Sequence, residues 1–205
     1  SIDRWVVENV FKIISECSAQ GAGRPMATCA INLSGTTIGD DNFLAFLHEQ
    51  FECYGVSPGQ ICFEITETSA IANLGSAIRF INDLKALGCQ FSLDDFCAGM
   101  SSFAYLKHLP VDFLKIDGSF VKDMLDDPIN RAMVEVINHI GHVMGKRTIA
   151  EFVESSKIEQ ALVEIGVDFA QGYVVERPHV FTCDSLWYRP KRPRPLALKL
   201  PGTLR

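Results

Sequence analysis

The sequence predicts an α/β fold built on a parallel sheet, and three observations carry that prediction. Six near-continuous apolar runs of strand length alternate with stretches whose apolar residues recur at helical spacing. No linker rich in Gly, Ser or Pro interrupts the alternation, so the units belong to one domain. Each run carries a polar or charged residue near its C-terminal end. Strands that are apolar without alternation are covered by helices on their faces, which is the setting of a parallel sheet.

The elements follow in chain order. Residues 2–18 place Ile2, Trp5, Val6, Val10, Ile13 and Ile14 at helical spacing, and the stretch from Gly21 to Pro25 ends that helix. "MATCAINLS" (26–34) reads as a buried strand, followed by a helix that Asp40 or Asp41 opens and Gly55 closes. "QICFEITET" (60–68) is the next strand and "LGSAIRFINDLKALG" (74–88) the next helix, stopped by Gly88. "CQFSLDDF" (89–96) is a strand and "SSFAYLKHL" (101–109) a short helix. "DFLKIDGSF" (112–120), "KRTIAEFVE" (146–154) and "DFAQGYVVERP" (168–178) are the last three strands. Helices over 130–145 and 156–166 separate them.

Two architectures satisfy this pattern, the eight-stranded barrel and the doubly wound open sheet. A barrel takes about 250 residues. Six units in 205 residues would then be a barrel lacking roughly its first two strands.

Composition narrows the functional classes. A chain 47% hydrophobic and 21% charged can bury a full core and is not disordered. No apolar run reaches the ~18 residues of a membrane helix, and the opening Ser-Ile-Asp-Arg-Trp lacks the features of a signal peptide. A soluble, cytoplasmic chain is expected. Seven cysteines without a Cys-x-x-Cys pair read as small buried hydrophobes in a reducing compartment. His139 and His142 read as two polar positions on a helix, with no cysteine near enough for zinc. The tail 189–205 holds six of the 19 basic residues and no acid, leaving 13 basic against 25 acidic, a net of −12, on the body. Such a body is no surface for a DNA or RNA duplex, and the basic, Pro-rich tail reads as solvated.

The strand ends carry the chemistry. They bear Asn32, Glu64 with Glu67, Asp94 with Asp95, Lys115 with Asp117, Glu151 with Glu154, and Gln171. Each has a local reading as a helix cap, a partner for a helix charge or a solvated group. Buried charge is costly unless paired or metal-bound, and strand C-termini of a parallel α/β protein converge on one face. One shared site therefore explains the six better than six accidents. Carboxylates with one amide oxygen suit hard ions such as Mg²⁺ or Mn²⁺. Adjacent acids can serve two metals, one carboxylate bridging, and metals about 3.5–4 Å apart stabilise both oxygens of a phosphoryl displacement. A lysine there orients water or neutralises developing charge. The set points to hydrolysis of a phosphodiester and exceeds the two carboxylates a glycosidase needs.

The motifs "NLS", "FEITET", "LDDFCAGMSSFAYLKHLPVDFLKID", "AEFVE" and "AQGYVVERP", in this order, resemble the EAL-domain family of cyclic-di-GMP phosphodiesterases over residues 1 to about 180. The resemblance implies a TIM-type (β/α)8 barrel with one strand reversed, occupying residues 1–188, and conversion of cyclic-di-GMP to linear pGpG with two Mg²⁺ or Mn²⁺ ions. It implies Asn32, Glu64 and Asp94 as ligands of one metal and Asp94, Asp95 and Glu151 as ligands of the other. Lys115 would contact the attacking water, with Glu151 and Asp95 completing the catalytic group. Gln171 would belong to the substrate network, and Glu67 and Glu154 would position loops. A homodimer and an upstream sensory or regulatory domain are further implications, any membrane anchor lying outside this chain. The family's Glu-Ala-Leu segment is absent, so an N-terminally truncated barrel is expected. Cys97 and Phe152 stand where the family usually has glycine. If those glycines serve positive φ or close approach, a catalytically inactive receptor or signalling adaptor is the alternative reading.

Overall fold

The computed structural model describes residues 1–20, 28–97 and 104–183. Six strands lie in one sheet in chain order: β1 (Cys29–Asn32), β2 (Ile61–Thr66), β3 (Gln90–Phe96), β4 (Phe113–Ile116), β5 (Arg147–Ala150) and β6 (Phe169–Ala170). Every neighbouring pair is parallel. This order separates the two architectures, because a doubly wound sheet reverses its strand order at a switch point, whereas a barrel wall winds one way throughout. Among the described residues β1 and β6 do not pair with each other, so the sheet is an open half-barrel.

Among the described residues seven α-helices connect and cover the strands: α1 (Ile2–Gln20), α2 (Asp41–Tyr54), α3 (Glu67–Ala72), α4 (Leu74–Leu87), α5 (Gly118–Lys122), α6 (Pro128–Val143) and α7 (Ser156–Ile165). Local chemistry sets their ends. The Asp40 carboxylate accepts from the Asn42 N–H at the start of α2, and Gly55 closes it in the left-handed conformation. Asn73 and Gly88 do the same for α4.

Strand periodicity sorts the side chains into two layers. Ile31, Phe63, Ile65, Phe91, Leu93 and Leu114 join the helices in the main core. On the concave side Cys62, Phe113, Ile149 and Phe169 form a second buried cluster, with the Phe113 and Phe169 rings 5.9 Å apart. Two residues further along the chain come Glu64 and Lys115 on their strands, with Glu151 and Gln171 just past the ends of β5 and β6. The apolar cluster is thus the floor beneath the polar layer.

The strands end earlier than their apolar runs suggest, and each early stop has a cause. Thr66 leaves β2 to cap α3, and Asp117 leaves β4 to cap α5 through the Ser119 N–H at 2.8 Å. β5 stops at Ala150 because Phe152 takes a φ of +51°. β6 keeps two residues because Gly172 turns at φ +155°, where a Cβ would lie 2.3 Å from the Val153 nitrogen. The short helix expected over 101–109 is replaced by turns at 104–108, and 101–103 lie outside the described residues.

One reading of the cysteines is overturned. Cys17, buried on α1, forms a disulfide with Cys183 beyond β6, across 166 residues of sequence. No short-range spacing announces such a pair, because only the wound sheet brings α1 beside the segment that leaves β6. The other five cysteines are unpaired, and Cys62, Cys89 and Cys97 are buried as the apolar reading expects. The basic tail lies outside the described residues. Among the described residues no helix is long and apolar enough to cross a membrane.

A crosslink of this span restricts the unfolded chain strongly, by about 2–4 kcal/mol in measured cases. Reduction, or a Cys17→Ser, Cys183→Ser double variant, is expected to lower the melting temperature by roughly 5–15 °C. Alkylation of denatured, unreduced protein should modify five thiols of seven. Modification of all seven would show that the bond does not form.

Candidate active site

Consecutive residues of a regular strand face opposite sides of the sheet, so Asp94 and Asp95 could not both serve one site from an undistorted β3. The strand is not regular. Leu93 pairs with Leu114 but Phe96 pairs with Ile116, so three steps on β3 match two on β4, a one-residue bulge. Asp95 occupies it at φ +52°. Its N–H donates to Asp94 Oδ1 at 3.0 Å. One oxygen from each of Asp94, Asp95 and Glu151 then lies within 4.8 Å of the others.

Lys115 sits between the strands that carry these acids. Its side chain is 3% exposed, and Nζ lies 2.8 Å from Glu151 Oε1, 2.9 Å from Asp94 Oδ1 and 3.1 Å from Glu64 Oε2. Burial pulls the ammonium pKa down, but Glu64, Glu151 and Asp94 outweigh it and hold the group above the ordinary lysine range. Burial pushes Glu64 and Glu151 up, with Lys115 opposing. Asp95 is raised by burial and then by the neighbouring charges of Asp94 and Asp117.

The remaining candidates lie around this cluster. Asn32 is exposed on β1, in register with Glu64. It lines a cavity of about 350 Å³ with Glu64, Gln171, Gly172 and Glu176. Gln171 is exposed just past β6, held through its backbone to Ala150 and Val153. Glu67, buried at the start of α3, accepts from the Cys97 N–H at 3.0 Å and from the Tyr105 hydroxyl. Glu154 is exposed on the rim of a second cavity and makes no hydrogen bond among the described residues.

Both residues that replace the expected glycines adopt positive φ. Cys97 is at +68° and Phe152 at +51°. Burial, with Glu67 nearby, pushes the Cys97 thiol up to about 12, so it is no thiolate at neutral pH. The Phe152 ring packs on Gly118, where a Cβ would lie 2.1 Å from it, and Lys122 Nζ stands 4.1 Å from the ring centroid. The bulge, the Tyr105 contact and the Gly118 seat are features sequence reading did not find. A turn-prone Asp-Asp pair interrupting a strand was the one available signal for the first.

Comparison with known proteins gives a consistent set of relatives. The model of a family described as "EAL domain" matches residues 1–178. The chain is 42% identical over 149 residues to the cyclic di-GMP phosphodiesterase PdeB of Shewanella oneidensis, covering 73% of this chain and 17% of that protein. It is 34% identical over 178 residues to the cyclic di-GMP phosphodiesterase PdeF of Escherichia coli, covering 87% and 23%. The chain thus spans less than a quarter of either relative. A solved structure titled as the PaMucR phosphodiesterase in complex with c-di-GMP superposes with a TM-score of 0.79 at 27% identity, covering 86% of this chain and 71% of the other.

The electrostatics of the cluster make a pH dependence. Glu64 and Glu151 bind protons more tightly folded than unfolded, so the stability they contribute is present below the ordinary glutamate range and lost as pH rises through their raised values. Lys115, held up, keeps its contribution over the same window. The melting temperature of the metal-free chain is expected to fall from about pH 5 to pH 8, and Glu64→Gln to flatten that slope. A divalent cation that the cluster can hold, added at pH 8, should restore it. A wild-type slope unchanged in Glu64→Gln would contradict the assignment.

Proposed function

The chain belongs to the EAL-domain family, and on that premise we propose that it hydrolyses cyclic-di-GMP to linear pGpG at the cluster around Lys115. The observation that carries this reading is one buried ammonium joined to Glu64, Asp94 and Glu151 beside a bulge that brings Asp95 to the same place. Such a group is costly as structure alone, since each buried charge loses its hydration, and a charged phosphodiester would account for its retention.

The donor set fits the implied metals. Asp94, Asp95 and Glu151 offer hard oxygens close enough to share an ion, as Mg²⁺ or Mn²⁺ requires. Asn32, Glu64 and Asp94 are the residues proposed for a second ion. When bound, these ions supply positive charge to the phosphoryl oxygens and acidify a coordinated water. Lys115 remains protonated at neutral pH, so it acts as a fixed donor to water or phosphoryl oxygen and not as a general base. Glu151 and Asp95 stand at the same place as the Lys115 ammonium, and a carboxylate oxygen of either that an ion leaves free can take the proton of the attacking water. Gln171, exposed on the rim with a carboxamide that makes no hydrogen bond among the described residues, is proposed to hold substrate. Glu67, through Cys97, fixes the chain leaving the bulge.

A second reading, a receptor that binds cyclic-di-GMP without turnover, is favoured by one observation. The Lys115 ammonium already pairs with Glu64, Asp94 and Glu151, carboxylates that the two ions would divide between them. Chromatography of cyclic-di-GMP incubated with the chain and Mn²⁺ separates the two. Formation of pGpG that drops at least about 100-fold in Lys115→Ala and Asp94→Asn, with folding retained, is the expected result. Binding without product selects the receptor, and absence of binding overturns both.

A further inference from the structure

Beside the carboxylate cluster lies a second cavity of about 290 Å³, which reaches the cluster at Glu151, meets the first cavity at Gln171 and Gly172, and adds Phe152, Tyr173 and Pro178. Its two aromatic rings are unusually open, Phe152 at 50% and Tyr173 at 58% exposure. Each ring has a cation against it, Lys122 at 4.1 Å and Arg177 at 5.7 Å. We infer that Phe152 is a substrate-binding residue, the wall against which one nucleobase of the bound dinucleotide stacks.

Four features converge on that role. Phe152 stands at a backbone cost, since a bulky side chain at positive φ is disfavoured and persists where the surroundings hold it. The seat is prepared, because Gly118 is the residue beneath the ring and any side chain there would overlap it. Gly118 and Lys122, both on α5, cover part of the ring, yet half the side chain remains open. Finally, the ring follows Glu151 directly, so a phosphodiester held at the cluster has its nucleoside within reach of the cavity. An ordinary core phenylalanine would be closed on both faces, and an ordinary turn would carry glycine or asparagine at this φ. Stacking on an aromatic face binds any base, and a cation at the ring adds attraction for the adjoining phosphate.

This assignment rests on the cyclic-di-GMP reading, and the test keeps the two apart. Calorimetric titration in EDTA, where no turnover occurs, compares cyclic-di-GMP, GMP and ribose 5-phosphate on the full chain. Wild type is expected to bind GMP about tenfold or more tightly than ribose 5-phosphate. Phe152→Leu is expected to lose that margin and a similar factor for cyclic-di-GMP, while Phe152→Tyr keeps both. Cyclic-di-GMP binding undiminished in Phe152→Leu, or equal wild-type affinity for GMP and ribose 5-phosphate, overturns the subsite and leaves the site reading intact. No binding of cyclic-di-GMP by wild type, in EDTA and again with Mn²⁺, overturns both. The GMP comparison needs no variant, so it decides even if Phe152→Leu does not fold.

Discussion

A lysine ammonium removed from water is the constraint on which the rest of this structure depends. Lys115 cannot sit nearly closed to solvent on β4 unless anions meet it, and the anions come from β2, β3 and β5. Contacts of 2.8–3.1 Å to three different strands demand that the sheet curve around the lysine. β3 and β5 neighbour β4 directly, but a flat sheet with strands about 4.8 Å apart would hold β2 two strand spacings from the amine on β4. Curvature in turn needs a filled hollow, which Cys62, Phe113, Ile149 and Phe169 provide beneath the charges. The half-barrel and the polar cluster are thus one solution to one electrostatic problem.

The same region concentrates the backbone strain. Asp95, Cys97 and Phe152 are the non-glycine residues at positive φ among those described, and all three flank the cluster. Each is held by something specific. Asp95 is fixed by the bulge and its own neighbour's carboxylate, Cys97 by Glu67, and Phe152 by the glycine under its ring. Strain of this kind survives where neighbours over-determine it, and its grouping at one rim fits a surface shaped for a ligand.

Much of the fold was legible in the residues. Six apolar runs and their helices mapped onto the six strands in order, because burial on both faces leaves an unmistakable apolar signature. The strand-end acids were legible as a group, since charge at such positions is too costly to be incidental. What escaped was whatever depends on non-local geometry. Asp117 looked like a site residue and serves as a helix cap, because an aspartate after a strand has the same local appearance in both roles. The bulge could not be read from β3 alone, being a mismatch between two strands. Cys17 and Cys183 carried no spacing that would pair them. The glycine replacements were legible as backbone questions, and the side-chain seat of Phe152 was not.

The disulfide alters how such a sheet can come apart. Strands that touch only their chain neighbours behave like a zipper, able to peel from either end without disturbing the middle. Joining α1 to the segment beyond β6 ties the two sliders together. Neither terminal strand can leave the sheet while dragging a free end behind it, so fraying gives way to opening from within. A single peptide-bond cleavage anywhere between Cys17 and Cys183 would leave both pieces on one molecule, held by sulfur.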